Sequence, residues 1–454
     1  MKLFKTYWYQ SALFTILQRF SLVFFGLVSY LLLVRNLSES KMGVWALFLA
    51  ISTTFEMSKY ALLKNGFITL FHSTASRKDQ GSIASSSLVL NVLFTIAFII
   101  LIFTGSHWIG QYWKVGELQS MLRWYVVASI LLIPFSHWEY IQQANMTFKG
   151  IFAAYFARQG CFFLLVIIAT FWFSGYVTLN LLVIFQIIGL AFGTFIAWIY
   201  SRKFINKMFA PSKFWIGRLF RYGKYVLGSG VCANIFGSLD RYMTASFMTS
   251  SSVAFYDVSA RINNLMDVPT TAAADILFPK SARASVEDGN SRVKYIYEKM
   301  VGILVGLVLP ISIFIFVFAD KIILIIAGDK YLPATGIIKI AMVYAFLRPV
   351  QIQASNVLNS INKPQLTFYL NLVVLSFNMT VSYCFIKSFG FMGAAYGAFL
   401  TTVFSSILSF CLLKRAIDVS VRGIVGEMWN FYEQAIRHCI TFWNQLRSLS
   451  TGTE

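Results

Sequence analysis

Long apolar stretches, separated by short polar connectors, make up most of this chain. A helix that spans a membrane needs roughly 20 consecutive apolar residues, and about twelve stretches approach this length. They do not alternate apolar and polar residues as the strands of a membrane β-barrel do. The pattern predicts an all-α polytopic membrane protein with about twelve transmembrane helices. They are expected near residues 11–34, 42–63, 82–104, 121–143, 151–172, 177–199, 220–243, 252–278, 298–318, 335–358, 364–387 and 391–413.

The stretches form two series of six, in which equivalent positions lie about 211 to 215 residues apart. The matching positions are Val44-Trp45 and Phe255-Tyr256, Lys149-Gly150 and Lys363-Pro364, and Gly175 and Gly390. Such a repeat is typical of transporters built from two pseudo-symmetric six-helix lobes around a central cavity. We therefore expect an N-terminal lobe at 1–200, a cytoplasmic interfacial linker at 201–219, a C-terminal lobe at 220–415 and a cytoplasmic amphipathic tail at 416–454.

Composition supports the membrane class. The chain is 57% hydrophobic and 12% charged, and its mean hydropathy is +0.67. Lys2 and Lys5 precede an apolar run that is too long for a signal peptide, so the first helix is expected to remain as an anchor. The five cysteines and four histidines are scattered, which predicts neither a metal site nor a disulfide framework. No cofactor is expected.

The formal charge of +20 describes the topology of the chain. With both termini in the cytoplasm, about 26 of the 38 Lys and Arg fall in cytoplasmic connectors or tails. The densest group of cations lies between residues 202 and 224, at the junction of the two series. This positive-inside pattern suits contact with anionic lipid headgroups and argues against a nucleic-acid partner.

The tail after Arg415 has apolar residues at helical spacing, opposite a polar face. Its apolar positions are Met428, Tyr432, Ile436, Ile440, Trp443 and Leu446. We expect a helix that lies on the cytoplasmic surface of the membrane, although a partner-binding helix is also consistent with the pattern.

Several ionisable residues lie inside predicted spans, where each costs about 2.5 to 3.5 kcal/mol on insertion scales. Arg19, Arg261 and Arg348 are deep in their spans. Glu56, Asp257, Asp267 and Asp275 also fall within spans. Others are within snorkelling reach of an interface, namely Arg123, Glu139, Arg158, Asp240, Arg241 and Lys339.

The eighth predicted helix carries Asp257, Arg261, Asn264, Val268 and Thr271 on one face. This stripe is polar enough to face water or a substrate. Asp257 and Arg261 are also spaced to form an i,i+4 ion pair that only neutralises both charges. Because arginine binds phosphate oxygens bidentately, the deep arginines favour an anionic, phosphate-bearing substrate.

Three stretches resemble the oligosaccharide-lipid flippases of the MOP exporter superfamily, the Wzx-type translocases of O-antigen and capsule repeat units. They are Leu37–Trp45, the run from Tyr222-Gly223 through Asp240-Arg241-Tyr242-Met243 to Val253–Tyr256 and Pro279, and Gly390–Ala395. The resemblance covers about residues 5 to 415. Many relatives have an Asp-x-Gly step where this chain has Glu56-Met57-Ser58, so the charge is kept and the glycine is not.

The resemblance implies two six-helix lobes with a cationic cavity in the bacterial cytoplasmic (inner) membrane. It further implies flipping of an undecaprenyl-diphosphate-linked oligosaccharide for lipopolysaccharide or capsule synthesis, with membrane lipids and the polysaccharide polymerase machinery as partners. The expected substrate-binding residues are Arg19, Arg261, Arg348, Asn264 and Arg241. Glu56 and Asp257 are candidate ion-coupling carboxylates.

Three rival classes fit the sequence less well. A multidrug-type antiporter favours unpaired intramembrane carboxylates, and here the deep residues include arginines. A major-facilitator transporter usually has a Gly- and Asp/Arg-rich loop where this chain has Ser73–Gln80. A membrane glycosyltransferase or ligase needs a large outer loop with catalytic groups, but the longest predicted outer connector has about 17 residues, around Gly105–Ser120. A Walker-type loop is also absent from the sequence, so direct use of ATP is not expected.

Overall fold

The computed structural model describes residues 2–74, 76–172, 177–204, 209–287, 289–361 and 363–451. These ranges contain fifteen α-helices, one 3₁₀ helix and no strand, which confirms the all-α prediction. Gly175, and the part of the predicted linker at 205–208, lie outside the described residues.

The first series comprises six helices. They are α1 (Lys2–Asn36), α2 (Glu39–His72), α3 (Arg77–Tyr112), α4 (Gly116–Ala144), α5 (Phe148–Trp172) and α6 (Leu179–Ser201).

The second series contains more elements. They are α7 (Lys213–Phe247), α8 (Ser250–Glu287), α9 (Asn290–Val317), α10 (Ala319–Ile326), a 3₁₀ helix (Asp329–Ala334), α11 (Thr335–Ala345), α12 (Arg348–Ser360), α13 (Pro364–Phe389) and α14 (Phe391–Ile417), followed by α15 (Val421–Thr451). Because α7 begins at Lys213, directly after Ser212, the connector between the series is shorter than the predicted 201–219.

The starts of the helices preserve the sequence repeat. Lys2 and Lys213 are 211 residues apart, as are Glu39 and Ser250. Arg77 and Asn290 are 213 apart, and Leu179 and Phe391 are 212 apart. Polar side chains begin the second helix of each series. The Ser38 hydroxyl accepts from the Lys41 N–H, and the Thr249 hydroxyl accepts from the Ser252 N–H, both at 3.4 Å.

The second series is broken where the first is continuous. The single helix α3 corresponds to α9 plus α10, and α4 corresponds to the 3₁₀ helix, α11 and α12. The last two are bent by 51°. Pro349, at the start of α12, cannot donate a helical hydrogen bond. Pro134, 215 residues earlier, lies inside the unbroken α4.

Eight of the described helices are long and apolar enough to span a membrane, or nine if the bent pair α11–α12 counts as one span. Among the other long helices, α2, α7 and α8 correspond to predicted spans and carry many of the intramembrane charges. The chain is therefore a multi-pass helical protein, and the arrangement of twelve helices in two lobes stays a prediction.

The chain divides into two compact units, residues 1–254 and 255–454. In the first unit, α7 packs closely on α2. Gly223 lies so near the Leu62 carbonyl that a β-carbon at this position would overlap it, and Leu63, Phe67 and Leu219 belong to the same core. This packing accounts for the inclusion of α7 in the first unit.

In the second unit, the amphipathic tail is helical as predicted and packs along α9. The Glu298 carboxylate accepts from the Ser420 N–H at 2.7 Å, and the Tyr432 hydroxyl donates to the Gly306 carbonyl at 2.8 Å. Between them, Gly302 lies against the backbone of Ile424. The contacts advance together along both helices, so the first turns of α15 run parallel to α9. Its placement on the membrane surface stays a prediction.

Candidate functional site

The polar stripe of α8 changes from buried to exposed along its length. Arg261 Nε donates to Asp257 Oδ2 at 2.9 Å. Asp257 is 2% exposed and Arg261 is 32% exposed. Asn264, less than one turn further on, is exposed. The i,i+4 pair that the spacing allowed is thus present, and the Arg261 side chain is still partly accessible from outside the protein.

A second arginine is held against the same helix. Arg348 is the first residue of α12, directly after the 51° bend. Its Nε donates to Asp267 Oδ1 at 2.8 Å, and its Nη2 donates to Asp267 Oδ2. This two-point geometry matches a planar guanidinium to a planar carboxylate. Arg348 is 27% exposed. The buried bond from Gln353 Nε2 to the Thr270 carbonyl, at 2.7 Å, also ties α12 to α8.

Glu56 occupies the position of α2 that corresponds to Asp267 of α8, 211 residues earlier. Arg158 Nη2 on α5 donates to Glu56 Oε1 at 2.9 Å and to Oε2 at 3.2 Å. The Tyr125 hydroxyl on α4 donates to the same carboxylate at 3.3 Å, and Arg158 lies over the Phe135 ring. Each compact unit therefore contains one acidic group at the equivalent position, paired with an arginine from another helix.

A second carboxylate lies close to this cluster in the first unit. The buried Glu139 accepts from the Tyr60 hydroxyl at 2.5 Å, the Tyr155 hydroxyl at 2.8 Å and Lys64 Nζ at 3.1 Å. Glu139 and Arg158 were expected to reach the membrane interface, but both are surrounded by protein. The spacing of Glu56, Tyr60 and Lys64 at i, i+4 and i+8 was the available sequence signal for one polar face of α2.

The other predicted site residues belong to the first unit. Arg19 is exposed on α1, and Arg241 Nη1 donates to the Gly237 carbonyl of its own helix at 3.4 Å. The structure thus brings Asp257, Arg261, Asn264 and Arg348 to α8, and it positions Glu56 in the other unit.

Lys339, another of the intramembrane cations, pairs with an exposed acid. Its Nζ donates to Asp320 Oδ2 at 3.0 Å, and this bond holds the pKa of the Asp320 carboxyl below its usual value. In the described residues, no three His, Cys, Asp or Glu side chains are grouped as a metal site would require.

Known proteins resemble the chain in sequence. A family model described as "Polysaccharide biosynthesis protein" matches residues 32–336. Agl15 of Haloferax volcanii, a probable low-salt glycan biosynthesis flippase, is 23% identical over 201 residues, 44% of this chain and 43% of that protein. A putative O-antigen transporter of Shigella flexneri is 19% identical over 402 residues, 85% of this chain and 93% of its own. Thus this chain aligns with less than half of Agl15.

Solved structures share the fold. An inward-facing multidrug resistance MATE family transporter of the MOP superfamily superposes with a TM-score of 0.75 at 14% identity, over 87% of this chain and 94% of its own. The lipid II flippase MurJ, in an inward closed conformation, superposes with a TM-score of 0.74 at 14% identity, over 95% of this chain and 93% of its own. These named relatives are flippases or transporters. The family match covers most of the chain, and this multi-pass membrane protein therefore belongs to the polysaccharide biosynthesis protein family and has the fold of MOP-superfamily transporters.

Proposed function

We propose that this protein flips an undecaprenyl-diphosphate-linked oligosaccharide across the bacterial cytoplasmic membrane by alternating access, for surface polysaccharide synthesis. The family match and the relatives named as glycan flippases support the reaction class. The resemblance to Wzx-type translocases supplies the lipid carrier. Both termini lie in the cytoplasm in this proposal, and the polysaccharide polymerase machinery receives the product.

The observation that carries the proposal is the pair of partly exposed arginines at α8. Arg261 and Arg348 remain about one quarter to one third exposed, and each is paired with one carboxylate. Unpaired guanidinium groups are costly in a membrane, so the carboxylates stabilise the empty state. A diphosphate offers the same planar or forked acceptor geometry with more charge. It therefore competes with Asp257 and Asp267 for the two arginines.

This competition suggests how binding is coupled to ions. When the diphosphate pairs with Arg261, the Asp257 carboxylate loses its partner in a buried position. Protonation of Asp257 removes that uncompensated charge. Asp257 is accordingly the proposed coupling carboxylate of the second unit, and Glu56, held by Arg158, is its counterpart in the first. Asn264 adds a hydrogen-bonding group beside Arg261, and Arg19 and Arg241 are proposed to contact the substrate in other states.

Flipping can be measured in proteoliposomes that carry a fluorescent undecaprenyl-diphosphate disaccharide, with a membrane-impermeant quencher reporting the outer leaflet. We expect Arg261→Gln and Arg348→Gln to lower the initial rate at least tenfold. Arg348→Lys should retain part of the rate because it keeps the charge but not the fork. Arg283→Gln is the matched control, since Arg283 also forms an i,i+4 pair on α8, with Glu287, but is exposed.

Equal rates in Arg261→Gln, Arg348→Gln and Arg283→Gln would sink the role of the α8 arginines. The main rival is a multidrug-type antiporter, which the shared MATE fold favours. The same proteoliposomes can be loaded with ethidium under a proton or sodium gradient. Ethidium exchange without glycolipid flipping would establish the rival instead.

A further inference from the structure

The first compact unit contains a cavity of about 530 Å³ away from the paired arginines. It lies where the end of α2, the start of α3, the inner part of α4 and the connector after α6 meet. Its lining includes Phe71, Arg77, Gln80, His137, Lys203 and Phe204. We call it the connector cavity. By the predicted topology, this end of the unit faces the cytoplasm.

The lining of the connector cavity is cationic. Arg77 and Lys203 are both exposed at its rim, and the described lining contains no carboxylate. Lys203 Nζ lies 4.8 Å from the centre of the Phe204 ring. Two basic groups without an acidic neighbour produce a local positive potential, which a bound anion would relieve.

A buried polar group lies at the inner wall. His137 is 8% exposed and lines the cavity. Its Nδ1 has no hydrogen-bond partner in the described part of the chain. An unsatisfied buried polar atom costs about 1–3 kcal/mol. A ligand that supplies an acceptor or donor to this ring would remove that cost.

The walls of the connector cavity are held in place before any ligand binds. The Ala210 N–H donates to the Ser85 hydroxyl at 3.2 Å, and the Ser212 N–H donates to the Ser86 hydroxyl at 3.0 Å. These bonds tie the connector to α3. Gln80 Nε2 donates to the Thr74 carbonyl at 3.1 Å and so fixes the turn between α2 and α3. The cavity is therefore a built site with little ordering cost on binding.

We propose that the connector cavity binds the phosphate group of an anionic amphiphile. Arg77 and Lys203 hold the phosphate oxygens at the rim, His137 completes the polar wall, and the rings of Phe71 and Phe204 cover the adjoining carbons. The volume falls within the range of small-molecule sites. The site is separate from the flipping path, so its binding does not depend on the identity of the transported glycolipid.

Binding can be measured on the purified full-length protein in neutral detergent, by calorimetry with dioctanoyl phosphatidic acid. We expect one saturable site. The double variant Arg77→Gln/Lys203→Gln should weaken it at least tenfold. Lys78→Gln/Arg202→Gln is the matched control, because it removes two exposed cations next to the same positions but outside the lining, and it should weaken binding less than twofold.

Three further measurements complete the test. His137→Leu should weaken binding at least threefold while the melting temperature stays at or above that of the wild type. Competition by inorganic pyrophosphate would assign the site to free phosphate as well, whereas a lack of competition would restrict it to lipid headgroups. Equal weakening in the two double variants, or equal binding of dioctanoylglycerol, which has no phosphate, would overturn the proposal.

Discussion

Glu56 and Asp267 are acidic side chains at equivalent positions of α2 and α8, and each pairs with an arginine from another helix. The partners come from different places, since Arg158 is on α5 and Arg348 begins α12. The acid is therefore a feature of the repeat, and the choice of arginine is specific to each unit. Arg348 follows a bend in its span, whereas Arg158 lies within a continuous helix, which makes the second pair the more adaptable one.

Removing the acid of the first pair should expose the cost of an uncompensated buried charge. Glu56→Gln leaves the Arg158 guanidinium without a carboxylate, and we expect a loss of stability of about 3 kcal/mol. Thermal unfolding of the purified protein in detergent measures it as a lower melting temperature. Glu287→Gln, the same substitution in the exposed Arg283 pair, should leave the melting temperature nearly unchanged.

The double variant Glu56→Gln/Arg158→Gln completes this test. Without the charge on either side, part of the lost stability should return, because the remaining amides can hydrogen bond to one another and to Tyr125. A double variant as unstable as the sum of the two single variants would show that the ion pair contributes no coupling.

Some of this residue-scale chemistry was predictable from local spacing. Asp257 and Arg261 are four residues apart on one helix, so their pair needed no knowledge of the tertiary fold. The environment of Glu139 was not predictable in this way, because Tyr60, Lys64 and Tyr155 come from two other helices. Which helix faces meet depends on packing, and a single sequence does not encode that in a readable period.

At the scale of elements, α9 and α15 approach closely along a pair of glycines. A β-carbon on Gly302 would lie 2.7 Å from the Ile424 carbonyl oxygen and 2.8 Å from the Met428 nitrogen. Both are backbone atoms, which cannot move without shifting α15. The exposed apolar positions Val425 and Trp429 extend from this contact along α15, and they suit the predicted contact with lipid.

Gly302→Ala should therefore loosen α15 while the rest of the bundle stays folded. We expect faster amide hydrogen exchange across 421–437 than in the wild type, with α13 and α14 unchanged. Gly26→Ala on α1 is the control, because a β-carbon there meets no atom within 4 Å. Unchanged exchange in α15 would contradict the close packing.

The positions of the elements followed the sequence better than their continuity did. The repeat of about 211 residues in the polar connectors reappears in the starts of α2 and α8. The breaks at 318 and at 346–347 were missed, because apolar residues continue through both. Pro349 indicated a kink, but Pro134 carries the same signal inside a straight run, so proline alone does not decide where a helix ends.

At the scale of the whole molecule, the charge-bearing helices α2, α7 and α8 are those whose composition alone does not identify them as spans. Intramembrane charges are tolerated when protein groups pair with them, and the described pairs on α2 and α8 provide that compensation. A sequence scale that counts apolar residues penalises the helices that carry the proposed transport chemistry. The functional helices of such a protein are therefore better located by their equivalent positions in the repeat than by hydropathy.

The proposed flipping of a diphosphate-linked lipid predicts a response to membrane potential. One charge that crosses the full membrane changes its free energy by about 2.3 kcal/mol per 100 mV. An inside-negative potential should drive the anionic headgroup outward. In proteoliposomes with a potassium gradient and valinomycin, we expect the labelled lipid to shift toward the outer leaflet by more than tenfold. Because the distribution at equilibrium does not depend on the direction of protein insertion, mixed orientations leave this result intact. Arg261→Gln should reach the same distribution more slowly, since it changes the catalyst and not the driving force. An even distribution despite the potential would mean that positive charge crosses together with the headgroup, and Asp257, the buried partner of Arg261, would then be the first residue to test as the proton carrier.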